Sequence, residues 1–278
     1  MANAQEQIAR HVTSEDGTAI AYQRTGGGPV VIVVAAALAD RTGTKRLTRE
    51  LAPDFTVVDY DRRGRGDSGD SGDTRPYAVE REVEDIEALI DANGGHACLF
   101  GSSSGAVLAL EAANRLAGKV DRLVLFEPPF IIDDSRPPLP AELPAEIDAL
   151  LAADKRSAAV KLFFSKAVGV PGFGVAMMAL MPGWSKMKAT AHTLPYDLAV
   201  LDGTQSGRAL PPARWAEVKA PTLVITGGRS GAFFQRGADA LVDVLPQARH
   251  QVLRGVGHEA AVMRPKSIAP LLVQFLTP

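Results

Sequence analysis

Polar and apolar positions follow two repeats along the chain, one typical of strands and one typical of helices. Residues 11–26 alternate polar and apolar side chains, which predicts a hairpin at a sheet edge. The run VVIVVAAAL from Val30 is continuously apolar, as in a strand that is covered on both faces. The amphipathic stretch 77–94 then predicts a helix that ends at Gly94.

The same alternation continues to the C-terminal part of the chain. Further strands are predicted from FTVVDYD, HACLF, RLVLF, APTLVITGG and ARHQVLRG, and further helices near 45–52, 106–118, 236–245 and 265–276. Strands that alternate with helices favour an α/β fold with a mostly parallel, doubly wound sheet and helices on both faces.

Residues 131–213 interrupt this alternation. They contain many prolines and no convincing strand, with helical stretches near 141–153 and 157–168 and less clear ones in GFGVAMMALM and PYDLAVLDG. Because structureless loops of this length are rare in compact domains, we expect a helical lid here. The predicted organisation is an α/β core formed by residues 1–130 and 214–278, with residues 131–213 as the lid.

The hexapeptide GSSSGA joins a predicted strand to a predicted helix. Gly101 and Gly105 fit the pattern G-x-S-x-G with Ser103 at its centre. Such a turn raises the central hydroxyl above the sheet edge at a helix N-terminus, and the N–H of Ser104 can donate to an oxyanion there. A serine-rich helix cap is the alternative interpretation, since serine is a preferred N-cap residue.

A serine nucleophile needs a base and a group that orients the base. His258, in GVGHEA after the last predicted strand, would lie at the same sheet edge as Ser103, which favours it over the other four histidines. Glu127 ends a neighbouring strand, and its carboxylate could accept the imidazole N–H. A solvated loop histidine and a surface glutamate are the alternatives, and Asp133 and Asp134 are weaker candidates for the acid.

Composition narrows the classes of function. The 278 residues, 46% hydrophobic, suffice for one large core with or without a lid. The net charge of −2 and the lack of a long basic run speak against a nucleic-acid partner.

The longest apolar run, residues 30–39, is too short to span a bilayer, and MANAQEQIAR lacks the apolar segment of a signal peptide. The single cysteine, Cys98, is expected to be buried. We therefore expect a cytoplasmic monomer or homodimer that acts on a small molecule, with no membrane partner.

GRGDSG, residues 64–69, satisfies the pattern G-x-G-x-x-G. No clear helix opens at Gly69, and the motif follows a later strand than a dinucleotide fingerprint would, so we interpret its arginines and Asp61 as a hydrogen-bonded structural loop. No cluster of His, Cys and Asp has metal-ligand spacing. We expect neither a metal nor a cofactor.

Five segments together resemble the α/β-hydrolase superfamily, namely VVIVVAAALADR, DYDRRGRGDSGD, GSSSG, APTLVITGG and GVGH. The resemblance covers nearly the whole chain, with residues 131–213 as the variable lid. It implies a serine hydrolase in which Ser103 is the nucleophile and His258 the base. It also implies that the N–H of Ala37 completes an oxyanion hole with that of Ser104.

The chain departs from the pattern of that superfamily at two places. Ala35-Ala36 stand where many members have His-Gly, which leaves the geometry of this loop open. The acid usually follows the strand APTLVITGG, but here it would be Glu127, one strand earlier, a position that certain haloalkane dehalogenases use. Those relatives have an aspartate nucleophile, and Ser103 speaks against their chemistry.

The resemblance and the motifs imply cleavage of a carboxylic ester-type bond through an acyl-enzyme. Apolar side chains could line a pocket for a small to medium apolar substrate, although most of them could equally form the lid's own core. The pocket candidates are Ala36, Phe130, Phe163, Met177, Met181 and Trp184. Hydrolysis of a C–C bond, lactone or thioester by the same serine stays open, as does a non-hydrolytic ligand-binding or cyclase-like protein on the same fold.

Overall fold

One mixed β-sheet organises the molecule. The computed structural model describes residues 9–70 and 77–277. Most of the stretch MANAQEQIAR, in which we expect no signal peptide, lies outside the described residues. The strands are β1 (Arg10–Thr13), β2 (Ala19–Thr25), β3 (Val30–Val34), β4 (Thr56–Tyr60), β5 (Ala97–Ser102), β6 (Val120–Phe126), β7 (Thr222–Gly227) and β8 (Ala248–Leu253). Their order in the sheet is β1-β2-β4-β3-β5-β6-β7-β8. Strand β2 runs antiparallel to both β1 and β4, and the other neighbouring pairs among these strands are parallel.

Eleven α-helices accompany the sheet in the described part of the chain. They are α1 (Lys45–Leu51), α2 (Val79–Asp91), α3 (Ser104–Arg115), α4 (Leu143–Ala152), α5 (Arg156–Phe163), α6 (Gly172–Met178), α7 (Trp184–Ala189), α8 (Leu194–Val200), α9 (Ala232–Val244), α10 (Ala260–Met263) and α11 (Ala269–Leu276). A π-helical turn at Phe164–Val168 continues α5.

The apolar runs become buried strands because helices cover both faces of the sheet. Helices α2, α3 and α9 pack on one face, and α1 and α11 pack on the other. Alternate residues of each strand contribute to the two faces, as Ile32 and Val33 do in β3. Cys98 is buried within β5, as the apolar run predicts. The structure thus confirms the predicted α/β fold with a mostly parallel sheet.

Two predicted helices differ in extent from the observed ones. Helix α9 begins at Ala232, four residues before the predicted start, and its first turn includes Phe233 and Phe234. Two adjacent aromatic residues do not lie on a single helix face, so the amphipathic pattern does not predict this turn. The predicted closing helix is divided into a 3₁₀ turn at Pro265–Ser267 and helix α11, with Pro265 at the start of the turn.

Residues 131–213, called the helical insertion below, contain α4 to α8 and no strand. Their apolar side chains form a separate core around Ile147, Val160 and Leu194, and Leu38 from the loop after β3 packs into it. The insertion is therefore helical, as predicted. Its boundaries and its role as a lid stay predictions. Within the described ranges, no helix combines the length and apolar character that crossing a membrane requires.

A buried ionic network joins the helical insertion to the core. The carboxylate of Asp197, on α8, accepts hydrogen bonds from Arg62 Nη1 at 2.7 Å, Arg65 Nη2 at 2.7 Å and Ser104 Oγ at 2.8 Å. Glu82 on α2 binds the other side of Arg62 with two bonds of 2.6 Å. These four charged side chains are almost fully buried. Since buried charges are tolerated only when they are paired, the network holds its partners in fixed positions.

The charges in this network act on each other. Burial lowers the pKa of Arg62, but Glu82 and Asp197 more than offset this effect and hold that pKa well above its ordinary value. Burial and the neighbouring Arg62 lower the pKa of Arg65, against the opposing effect of Asp197. Arg65 therefore depends on the Asp197 carboxylate to remain a buried cation. The structural role inferred for the arginines of the GRGDSG region agrees with this arrangement.

Replacing Asp197 by alanine leaves Arg62 short of one partner and removes the one carboxylate that Arg65 binds among the described residues. We expect Asp197→Ala to lower the free energy of unfolding by about 3–5 kcal/mol, the usual cost of breaking a buried ion pair. Urea denaturation followed by circular dichroism measures the change. The matched control is Asp202→Ala, because Asp202 is exposed two residues after α8, and it should stay within about 0.5 kcal/mol of the wild type. A loss below 1 kcal/mol in Asp197→Ala would contradict this account.

Candidate active site

Ser103 lies at a sharp turn between β5 and α3. Its backbone has φ 54° and ψ −126°, a conformation that residues other than glycine rarely adopt. The turn is held by hydrogen bonds at both ends, from Ser103 N to Phe126 O at 2.9 Å and from Ala106 N to Ser103 O at 2.9 Å. The sheet and the helix therefore fix this residue from both sides, in the strained position that G-x-S-x-G predicts.

The two glycines of GSSSGA are required by close backbone contacts. A Cβ atom on Gly101 would lie 2.3 Å from the carbonyl oxygen of Gly105. A Cβ atom on Gly105 would lie 2.4 Å from the carbonyl oxygen of Val34. Neither glycine needs a positive φ, so their role here is to let α3 approach β5 and β3.

His258 follows β8 and is hydrogen-bonded to Glu127 across 131 positions of the sequence. The distance from His258 Nδ1 to Glu127 Oε2 is 2.6 Å. The second carboxylate oxygen, Oε1, accepts the N–H of Gly227 at 2.7 Å. The ring of Phe234 stacks on the imidazole at 4.8 Å between centroids. With an ionised Glu127, the proton of the neutral imidazole is assigned to Nδ1, which leaves Nε2 as an acceptor.

Glu127 is fully buried and directly follows Phe126, the last residue of β6. Its φ of 49° is a second strained backbone conformation, and its N–H donates to Ile225 O at 2.9 Å. Since both carboxylate oxygens have hydrogen-bond partners, the side chain has a single orientation, directed at His258.

Ser103 and His258 line one cavity of about 520 Å³ between the sheet edge and the helical insertion. No described residue forms a hydrogen bond with the hydroxyl of Ser103, so this oxygen faces the cavity without a protein partner. Ser103, His258 and Glu127 are thus assembled at one rim, with Glu127 bound to His258 and without a direct hydrogen bond between Ser103 and His258.

Two residues that line the cavity with Ser103 have a backbone N–H without a protein acceptor in the described part of the chain. Ser104 is the first residue of α3, so its N–H has no intrahelical partner, and Ala37 N donates to no described atom. Both residues line the cavity together with Ala36. The Ser104 hydroxyl is bound to Asp197, which leaves the backbone as its contribution to the cavity. Together the two N–H groups can bind a developing negative charge.

The loop that carries Ala37 is held by its carbonyl groups. Arg65 Nη1 donates to Ala36 O at 2.9 Å, and Thr190 Oγ1 from the helical insertion donates to Leu38 O at 3.1 Å. Leu38 is the residue with a left-handed backbone, at φ 61°, whereas Ala35 and Ala36 have negative φ. This explains why no glycine is needed at the Ala35-Ala36 positions. No sequence motif predicts the contact between Arg65 and this loop or the hydrogen bond from Thr190.

Half of the predicted pocket residues line the cavity. Ala36, Phe163 and Met181 do so. The prediction is wrong for the other three residues. Phe130 is buried in the main core against Trp215, at 5.7 Å between ring centroids. Met177, on the short helix α6, is 64% exposed and does not line the cavity.

Trp184 is the third residue that the prediction misplaced. It is buried in the core of the helical insertion, where its indole Nε1 donates to Ser157 Oγ at 3.1 Å. Sequence pattern alone could not separate these inward-facing residues from the lining ones. Lining residues that the sequence analysis did not select include Leu38, Phe126, Arg136, Phe164, Met178, Met187 and Phe234.

The alternative acids and bases lie elsewhere. Asp133 forms an ion pair with Arg236 at 2.9 Å, and hydrogen bonds from Ser135 lower the pKa of Asp133 to about 2. His250 is bound between Asp239 and Thr226 at 2.7 Å each, away from the cavity. Within residues 9–70 and 77–277, no group of three or more His, Cys, Asp or Glu side chains could hold a metal ion.

Solved structures and curated proteins resemble this chain. The structure of an alpha/beta hydrolase from Sphaerobacter thermophilus DSM 20745 is 50% identical, with a TM-score of 0.88, over 96% of this chain and 100% of that chain. N-formylmaleamate deformylase from Pseudomonas putida is 26% identical over 259 residues, 90% of each protein. The uncharacterized hydrolase YraK from Bacillus subtilis is 34% identical over 113 residues, which span 40% of this chain and 42% of that protein.

The match to a protein family covers most of the chain. Residues 17–271 match the Alpha/beta hydrolase family, a range that includes Ser103, Glu127, the helical insertion and His258. The fold, the strand order and the turn at Ser103 agree with the resemblance that the sequence motifs indicate. The chain is an enzyme that belongs to the Alpha/beta hydrolase family.

Proposed function

We propose that this hydrolase cleaves a carboxylic ester-type bond of a small to medium, largely apolar substrate through an acyl-enzyme on Ser103. One arrangement carries the proposal: a buried carboxylate, Glu127, orients His258 at 2.6 Å, and His258 shares a cavity with the unbonded hydroxyl of Ser103. A nucleophile, a base and a group that orients the base are the parts that acyl transfer to serine requires.

The reaction begins when Ser103 Oγ attacks the ester carbonyl and His258 Nε2 accepts its proton. Glu127 stabilises the imidazolium that forms, because it already accepts the Nδ1–H. The N–H groups of Ala37 and Ser104 donate to the oxyanion of the tetrahedral intermediate. His258 then protonates the leaving alcohol, and water, activated by the same imidazole, releases the acid. Hydrogen bonds of this kind tighten when substrate is bound, so a missing Ser103–His258 bond in the free enzyme is compatible with the mechanism.

The wall of the cavity supports a substrate of limited size. Phe163, Met181 and Phe164 come from the helical insertion, and Phe126 and Phe234 come from the core. A volume of about 520 Å³ lies in the range of small-molecule pockets. Apolar walls exclude water and strengthen the interactions of the oxyanion with its donors. We interpret the helical insertion as the lid that closes this side of the cavity.

Ser103→Ala removes the nucleophile. We expect the rate of 4-nitrophenyl butyrate hydrolysis to fall by about four to six orders of magnitude, as for other nucleophile deletions. Labelling by a fluorophosphonate probe should disappear, since the probe reacts only with an activated serine.

Ser267→Ala is the matched control for this variant, because Ser267 is half-buried outside the cavity wall and its hydroxyl donates to Arg264 O at 2.6 Å. It should be labelled and should hydrolyse the ester as the wild type does. Retained hydrolysis in Ser103→Ala, with no labelling of the wild type, would rule out a serine hydrolase and favour a non-hydrolytic or differently catalysed role.

Glu127→Gln tests the orienting role. The carbonyl oxygen of glutamine can keep the bond from Gly227 N, which places its NH₂ group against His258 Nδ1. The imidazole must then carry its proton on Nε2, the nitrogen that should accept the proton of Ser103. We expect kcat to fall by about 10²- to 10⁴-fold with the fold preserved.

The control for this substitution is Glu217→Gln, an exposed glutamate 3.6 Å from Lys219. Steady-state kinetics and thermal unfolding of both variants separate a catalytic loss from a loss of stability. If Glu127→Gln turns over at a rate close to the wild type, Glu127 has no part in the mechanism.

A further inference from the structure

Arg136 is a cation in the wall of the cavity without a carboxylate partner among the described residues. Its Nη2 donates to the carbonyl oxygen of Ala167 at 2.6 Å, in the π-helical turn that follows α5. None of its other N–H donors has a hydrogen-bond acceptor in the part of the chain that the structure describes. Most of the hydrogen-bonding capacity of this guanidinium is therefore available to a ligand.

Arg136 differs from the buried arginines of the core in lacking a carboxylate partner among the described residues. Arg62, Arg63 and Arg65 are each bound to at least one carboxylate. Burial lowers the pKa of Arg136, and no charged neighbour acts against that effect. A partly desolvated cation that lacks a counter-ion within the protein is stabilised when an anion enters its surroundings.

A row of stacked side chains connects Arg136 to the candidate base. The Arg136 guanidinium lies 4.7 Å from the centre of the Phe233 ring. The ring centroids of Phe233 and Phe234 are 4.0 Å apart. The Phe234 ring stacks on the His258 imidazole with 4.8 Å between the ring centroids. Three contacts thus link the guanidinium to the imidazole. Arg136 and His258 both line the same cavity, so a small molecule bound there can contact both groups.

The other charges that face the cavity do not neutralise Arg136. Lys186 donates to Thr42 at 2.8 Å and lies 3.9 Å from Asp40. Glu259, the neighbour of His258, is exposed at the cavity edge and repels an anion from that side. Asp133, close to Arg136 in sequence, is paired with Arg236. The distribution of charge therefore favours an anionic group at Arg136 and a neutral one beside His258.

We propose that Arg136 binds a carboxylate of the substrate, so that the substrate class is an ester-type compound with an apolar body and a carboxylate at its far end. The inference rests on the proposed function, since it assumes that the scissile carbonyl lies at Ser103. A guanidinium in an apolar wall binds a carboxylate through charge-assisted hydrogen bonds and discriminates strongly against a neutral isostere.

The test compares pairs of esters that differ only in this charge. Mono-4-nitrophenyl adipate and its neutral carboxamide isostere place the group on the acyl side, and 4-acetoxybenzoate and 4-acetoxybenzamide place it on the leaving-group side. The Ser103→Ala enzyme supplies the background rate. We expect the wild type to prefer the carboxylate of at least one pair by about 10- to 100-fold in kcat/KM. In Arg136→Met this preference should be lost, with kcat/KM for the neutral ester retained.

Further variants separate binding from a structural role. Arg136→Gln keeps an amide that can donate to Ala167 O but has no charge, and it should lose the preference as Arg136→Met does. Arg136→Lys should restore part of it. The control, Arg236→Gln, removes an exposed arginine outside the cavity wall and should leave the preference unchanged.

Each outcome decides one of the two proposals. A wild-type enzyme that hydrolyses both members of each pair equally well overturns the role of Arg136 and leaves the serine-hydrolase mechanism in place. The same conclusion follows if Arg136→Met and Arg136→Gln slow the charged and neutral esters alike, or if Lys186→Met abolishes the preference instead. A wild-type enzyme that hydrolyses 4-nitrophenyl butyrate but neither pair also overturns the role of Arg136, and one that hydrolyses none of these esters above the Ser103→Ala background overturns the proposed function itself.

Discussion

The carboxylate of Asp197 is the point on which the two parts of the molecule depend. It lies fully buried between Arg62, Arg65 and Ser104, and through Ser104 it joins the helical insertion to the turn that carries Ser103. Arg65 in turn holds the carbonyl of Ala36, next to the candidate oxyanion donor Ala37. A buried charge cannot shift without losing a partner, so the insertion, the loop after β3 and the start of α3 are fixed relative to one another.

Backbone strain is concentrated at the same rim. Of the four non-glycine residues with positive φ in the described parts of the chain, Leu38, Ser103 and Glu127 belong to the candidate site. Each is held by hydrogen bonds or packing from neighbouring strands, which offset the unfavourable conformation. Ser103 and Leu38 line the cavity, and the Glu127 carboxylate is bound to His258, which lines it as well.

Much of this arrangement could be predicted from local sequence. The apolar runs identify the strands, and the pattern G-x-S-x-G together with GVGH identifies Ser103 and His258 because each sits immediately after a strand. Glu127 followed from the same rule, since the carboxyl ends of parallel strands meet at one edge. Their catalytic roles remain proposals that the geometry supports.

The remaining parts depend on contacts between distant segments, which no local pattern encodes. Asp197 lies in an unremarkable helix, and only the packing of α8 brings it to Arg62 and Arg65. The pocket predictions failed for Phe130 and Trp184 for a related reason, since an apolar side chain in a helical segment can face either the core or the cavity. Arg136 has no carboxylate partner among the described residues, and no local sequence pattern predicts this because the partner would come from a distant segment.

The position of Glu127 directly after β6 has a consequence for how this enzyme can diversify. With Glu127 as the proposed acid, the segment after β7 need not supply one, and it contributes Phe234, which stacks on His258, and Phe233, which packs against Phe234. The proposed proton transfer and these aromatic contacts thus depend on separate segments of the chain. Laboratory evolution could vary the aromatic pair to accommodate new compounds, while the acid–base couple stays anchored to the interior of the sheet.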